Sequence, residues 1–215
     1  DVKEVLTVRT ASVEAQGASG SIAGLSNLLL DRCIISQPQG AAYDKALKGV
    51  AKDGGLVTDR VVIGIEKYGL LIGGIEVTSA NYDDIYLFPG VAGSLHYDPA
   101  KKILRMAYVT IPTDDDKVAV HNQSVDGLKI EMTGENAMTG GTGCILERPT
   151  TITGSGNMTI TGTKGCGVAL KNTMLTIKGV EVRVSGATEG ISGDKSAGCG
   201  LAVNDAHVEA EGSQG

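Results

Sequence analysis

Apolar and polar residues alternate along much of the chain in short runs, each closed by glycine. Thr150-Thr-Ile-Thr-Gly154, Met158-Thr-Ile-Thr-Gly162, Leu175-Thr-Ile-Lys-Gly179 and Val180-Glu-Val-Arg-Val-Ser-Gly186 are the clearest. A period of two puts Ile152, Met158, Ile160, Leu175, Ile177, Val180, Val182 and Val184 on one face, with Thr, Lys, Glu and Arg on the other. These runs are therefore half-buried strands. Residues 165–189 and 190–215 form successive coils of similar length, the spacing of a parallel β-solenoid in which each strand pairs with its counterpart one coil away.

A longer period joins the two ends of the chain. Residues 201–215 match residues 6–20 at eight of fifteen positions, at an offset of 195 residues. The simplest reading is one period of a tandem array, with residues 1–65 as the terminal coils of one solenoid unit plus a loop. Residues 66–139 then start or cap a second unit, and 140–215 are its regular coils. The fold expected is all-β, a right-handed parallel β-helix with an irregular hairpin or loop segment between two solenoid parts. Further strands are expected at 4–8, 12–15, 28–35, 94–97, 103–111, 117–120 and 128–132. Val57–Ile65 and Tyr68–Ser79 alternate again and are expected to form a strand pair interrupted by Gly73-Gly74. Residues 41–55 have a helix-favouring composition and are read as a short helical turn or a surface loop.

Composition agrees with a narrow interior: 31 glycines, no tryptophan and one phenylalanine in 215 residues, with branched aliphatics supplying most of the apolar content. A net charge of −6, with basic residues that never cluster, removes the attraction that a phosphate backbone requires. No apolar run is long enough to span a bilayer. The chain opens without a basic-then-apolar leader, so a signal peptide is expected to have been removed or to lie outside this piece.

The segments Tyr68-Gly-Leu-Leu-Ile-Gly-Gly-Ile-Glu-Val-Thr-Ser-Ala-Asn81, His96-Tyr-Asp-Pro-Ala-Lys-Lys-Ile-Leu-Arg-Met106 and Leu175-Thr-Ile-Lys-Gly179 resemble, in kind and order, exported right-handed parallel β-helix surface proteins of gut and oral bacteria. Some of these are labelled carbohydrate-binding-domain proteins. The resemblance covers most of residues 66–215, and residues 1–35 resemble the group's late coils. It implies export to the cell surface or beyond, and it carries no assigned activity.

Candidate chemistry is sparse. Asp114, Asp115 and Asp116 form the densest acidic run and, with Asp83, Asp84 and Asp126, offer oxygen ligands to Ca²⁺, although solvated turns have the same composition. The same acids make a weak glycosidase pair, because adjacent carboxyls on loops lack a fixed separation. Arg148, Lys164, Lys171, Lys178 and Arg183 are too diluted by Glu147, Glu181 and Glu189 to serve a polysaccharide lyase. His96, His121 and His207 have no ligand spacing. Tyr82, Tyr86, Phe88, Tyr97 and Tyr108 cluster in sequence and are the expected place for any glycan contact. Cys144, Cys166 and Cys199 share glycine-flanked settings and are read as an interior ladder of free thiols, with a Cys144–Cys166 disulfide as the alternative. The expected function is a non-enzymatic, secreted or cell-surface structural, fibre-forming or adhesive repeat that needs no cofactor. Its partners would be head-to-tail or tandem copies, without nucleic acid or a membrane span. The alternatives are a carbohydrate-binding module and a polysaccharide lyase or hydrolase.

Overall fold

A computed structural model describes residues 4–194 and 198–213. The protein is a parallel β-solenoid, 58% strand and 1% helix, so the short alternating runs do form strands. It divides into two compact units, one made of Asp1–Lys67 with Thr78–Ala80, the other of Tyr68–Val77 with Asn81–Gly215. Each has its own apolar core.

In the first unit β1 (Val5–Arg9) and β2 (Val13–Ala15) form one coil, and β3 (Asn27–Asp31) and β4 (Ile34–Gln37) the next. β1 and β3 pair in parallel with Leu6 opposite Leu28 and Val8 opposite Leu30. The strands β5 (Ala42–Asp44), β6 (Gly49–Lys52) and β7 (Gly55–Leu56) are an antiparallel meander. They replace the helical turn or loop expected there: Tyr43 lies opposite Val50, and burial of Val50 in the core outweighs the helix propensity of the alanines and lysines around it. Next, β8 (Val61–Gly64) runs antiparallel between β2 and β4. The pairing expected between residues 57–65 and 68–79 is therefore not formed, because Val61 and Ile63 are fully buried in the first unit's core.

The second unit opens with the hairpin β9 (Lys67–Ile72) and β10 (Ile75–Thr78), turned by Gly73 and Gly74 at φ of 59° and 81°. Two successive left-handed residues match the twist of a tight hairpin and need glycine. A 3-10 turn (Ile85–Leu87) follows, then β11 (Ala92–Asp98), β12 (Ile103–Pro112), β13 (Val118–Asn122), β14 (Leu128–Gly140), β15 (Thr142–Leu146) and β16 (Thr150–Gly162). Later coils contain β17 (Val168–Leu170), β18 (Met174–Lys178), β19 (Glu181–Gly186), β20 (Ile191–Gly193), β21 (Gly200–Asn204) and β22 (His207–Gly212). From β12 onward every pairing is parallel except that of β9 with β13 and that of β11 with β12. Those two antiparallel strands close the first edge of this solenoid.

Side chains stack in columns along the coil axis. One column runs Leu104, Ile130, Ile152, Ile177, Val203, and another Asn136, Met158, Val182, Val208. The first four residues of the former are at most 2% exposed, whereas Val203, in the last coil, is 44% exposed. Ile152→Ala should therefore lower the unfolding free energy by about 2–5 kcal/mol and Val203→Ala by about 1 kcal/mol or less, a contrast that urea titration would measure.

Candidate functional site

The sequence-predicted residues do not form one site. Tyr97 is 2% exposed and its ring lies 5.4 Å from that of Tyr68, which also meets Tyr82 edge-on at 6.4 Å. Tyr82 and Phe88 pack against the core of the second unit. These rings close the solenoid end beside the 3-10 turn, so they cannot act as one flat platform. Tyr86 and Tyr108 are exposed, the latter at 68%.

Tyr108 is a special position. Strict alternation after Leu104 and Met106 would send it inward, but the β12–β14 register shifts between Ala107 and Thr110. Tyr108 takes a left-handed φ of 54°, and Val109 and Ile111 turn in instead. Its ring lies over Gly134, where a Cβ would come within 2.3 Å of it. Beside it runs a surface groove whose lining includes Glu135, Asn157, Thr159 and Arg183.

The acidic run is dispersed onto partners. Asp114 pairs with Lys117 at 2.7 Å, while Asp115 accepts the Thr163 hydroxyl at 2.7 Å and lies 3.5 Å from Lys164. Thr163 and then Lys164 hold the Asp115 carboxyl below its usual range. Asp114 and Asp115 thus turn toward different cations rather than converging on one ligand point. Among the described residues no group of three or more His, Cys, Asp or Glu side chains is arranged to hold a metal ion.

The cysteine ladder is also not formed. Coils in that sheet advance by 24 residues, so Cys144 lies between Val120 and Val168, and Cys166 falls two residues short of it. Cys199 precedes β21 and donates from Sγ to the Leu170 carbonyl at 3.3 Å. All four cysteines are free thiols.

Charged residues elsewhere form ion-pair columns on the outer faces. Glu147 takes His121 at 2.9 Å and Lys171 at 3.1 Å, and the His121 contact first, then Lys171, lowers its carboxyl. Arg183 is shared by Glu181 and Glu209.

The last coil described consists of β21 and β22. β21 pairs only with β18, and β22 only with β19, so both outer edges lack a further strand among the described residues. Leu201 and Val203 stand on the buried Leu175 and Ile177, yet each is 44% exposed. An open β edge with an apolar interior behind it is a template for another strand.

This coil repeats the one that opens the first unit. β1 and β21 coincide at the 195-residue offset, and β2 falls within β22. The connecting residues, Thr10 at φ 43° and Asp205 at φ 48°, are both left-handed. A β-branched residue rarely adopts this conformation, so its occurrence at Thr10 marks a turn imposed by the coil rather than by local preference. The end-to-end sequence match is thus a match of conformation as well.

No protein-family model, curated protein or solved structure matches this chain.

Burial, and secondarily the nearby Cys166, pushes the Cys144 thiol up from 9.0 to about 12. Between pH 9 and about 12 the unfolded chain gives up this proton while the folded chain keeps it. Stability should therefore fall across that window, more steeply in the native chain than in Cys144→Ala, as denaturant midpoints at stepped pH would record. Native Cys144 should also resist alkylation at pH 8 and react once the chain is unfolded.

Proposed function

We propose that this chain is a non-enzymatic structural element, a β-solenoid repeat that extends by joining further copies of itself outside the cell or on its surface. The observation that carries this reading is the repeated coil: β21 and β22 carry, at an offset of 195 residues, the sequence and left-handed turn of β1 and β2, as successive copies in one array would. A contact between two different surfaces makes an open filament wherever its rotation does not close a ring. The incentive is modest and additive. Burying a whole Leu or Val side chain stabilises by roughly 1.5–3 kcal/mol, so covering the partly exposed Leu201 and Val203 contributes about 1 kcal/mol each, besides the edge hydrogen bonds.

The outer faces support a structural role. Acids and bases there engage one another, as in the Glu147 and Arg183 columns. Placement outside the cell rests on the sequence motifs alone, Tyr68–Asn81, His96–Met106 and Leu175–Gly179, that resemble those of exported β-helix proteins. No helix among the described residues is long and apolar enough to cross a membrane.

Light scattering and electron microscopy over a concentration series test the reading. Rods or chains that grow with concentration are expected, and Leu201→Lys with Val203→Lys should abolish them while leaving the fold intact by circular dichroism. A particle of one mass at every concentration would overturn it.

Tyr108 favours a second reading, contact with a glycan. Its exposed ring is held over Gly134 beside Glu135, Asn157 and Arg183, an apolar face with hydrogen-bonding groups at its border. If this reading holds, a glycan array should show binding that Tyr108→Ala removes; an array with no signal would reject it.

A further inference from the structure

We infer that the buried Asn136 holds Tyr108 outward as the stacking residue of an oligosaccharide site, one that accepts uncharged sugars and rejects acidic ones. The inference rests on the glycan reading above, and it names the class of sugar and the residue that builds the site.

Tyr108 stands where its neighbours use glycine. The register shifts put Gly93 of β11 on one side of it and Gly134 of β14 on the other, at φ of 90° and 67°. Tyr108 takes the same left-handed conformation at φ 54°, which a bulky side chain rarely adopts, yet its ring is 68% exposed. A glycine at this position would bend the strand without that strain. Backbone strain kept at an exposed aromatic residue points to a use for the ring.

Asn136 keeps the bend in place. It belongs to an inward column whose next members, Met158 and Val182, are apolar and buried, and it is itself only 4% exposed. Its Oδ1 accepts the Val109 amide at 2.9 Å, within the stretch where the β12–β14 ladder is interrupted. Its Nδ2 donates to the carbonyls of Gly134 at 2.9 Å, Thr133 at 3.2 Å and Asn157 at 3.4 Å. An apolar residue would fill the column but leave the Val109 amide without this acceptor. One side chain thus ties the bulge at Tyr108 to both strands that floor the groove beside it. The fit is close on either side. A Cβ on Gly134 would meet the Tyr108 ring at 2.3 Å, and one on Gly93 would come within 2.2 Å of the Tyr108 carbonyl oxygen.

The groove suits a sugar. It crosses β12, β14, β16 and β19, which at about 4.8 Å per strand gives ~14 Å, room for a short oligosaccharide. The exposed ring offers a flat apolar face to the C–H face of a pyranose. Thr110, Asn157 and Thr159 line the groove with groups that both donate and accept, as sugar hydroxyls do, whereas a lysine or arginine from a protein partner only donates. Charge then sets the class of sugar. Arg183 is already shared by Glu181 and Glu209, and Glu135 is exposed with no ion-pair partner among the described residues. The groove is therefore net acidic, and a uronate or sulfated sugar brought into it meets repulsion.

The test uses an array of neutral oligosaccharides printed beside their uronate counterparts. Neutral members should bind, the uronates should not, and Tyr108→Ala should weaken binding about tenfold. In a chain carrying isotope-labelled glycine, the α protons of Gly134 should show the ring-current shift of Tyr108. Asn136→Ala should lose both that shift and the binding while its circular dichroism stays native. If that variant does not fold, Gly134→Ala, which pushes the ring aside, should lose the binding in its place. An array with no signal would reject the glycan reading itself. Uronates bound as tightly as neutral sugars, or binding and a ring-current shift that survive in Asn136→Ala, would leave that reading standing and overturn this inference. A Tyr108-dependent affinity for polylysine, with none for sugars, would overturn it in favour of a basic protein.

Discussion

Every coil of a β-solenoid depends on its neighbours for the hydrogen bonds of its own backbone. A strand spaced about 4.8 Å from the next has its N–H and C=O groups satisfied across that gap, and its inward side chains covered from above and below. The Leu104-to-Val203 column shows both sides of this dependence, closed through Ile177 and partly open at Val203. At the other end of the second unit, β9 and β11 turn antiparallel and Tyr68, Tyr82 and Tyr97 fill the space beneath them. One end of that solenoid is finished with aromatic bulk, and at the other β21 and β22 are the last strands among the described residues.

Much of this architecture is legible in the sequence because the governing signals are local. Period-two runs mark the strands from Ile103 onward, and where glycine closes them, from Gly140, they mark the regular coils. The end-to-end match pointed to a repeated coil, and the shared left-handed turn at Thr10 and Asp205 gives that match its conformational content. What escaped was set by tertiary context. Coil length is 22 residues from β14 to β16 but 24 from β15 to β17, so the equal spacing of Cys144 and Cys166 suggested a stack that the actual register breaks. Residues 41–51 look helical by composition and become a hairpin because Val50 is wanted in a core.

The candidate surfaces were less legible than the fold. The aromatic segment between Tyr68 and Tyr108 reads as one cluster, yet most of its rings close a solenoid end, and only the break of alternation at Tyr108 turns that ring out. An open edge has no residue signature of its own. It emerges only when the pairing of β21 and β22 is traced and a strand is found on one side alone.

The most direct measurement is amide hydrogen exchange of β21 and β22 in the 215-residue chain, compared between a dilute sample and one concentrated enough to associate. If copies of the chain join at this coil, the amides of residues 200–212 should become protected on concentration while those of β14 and β16 stay as they were. Equal exchange of β21 and β22 at both concentrations would contradict the account.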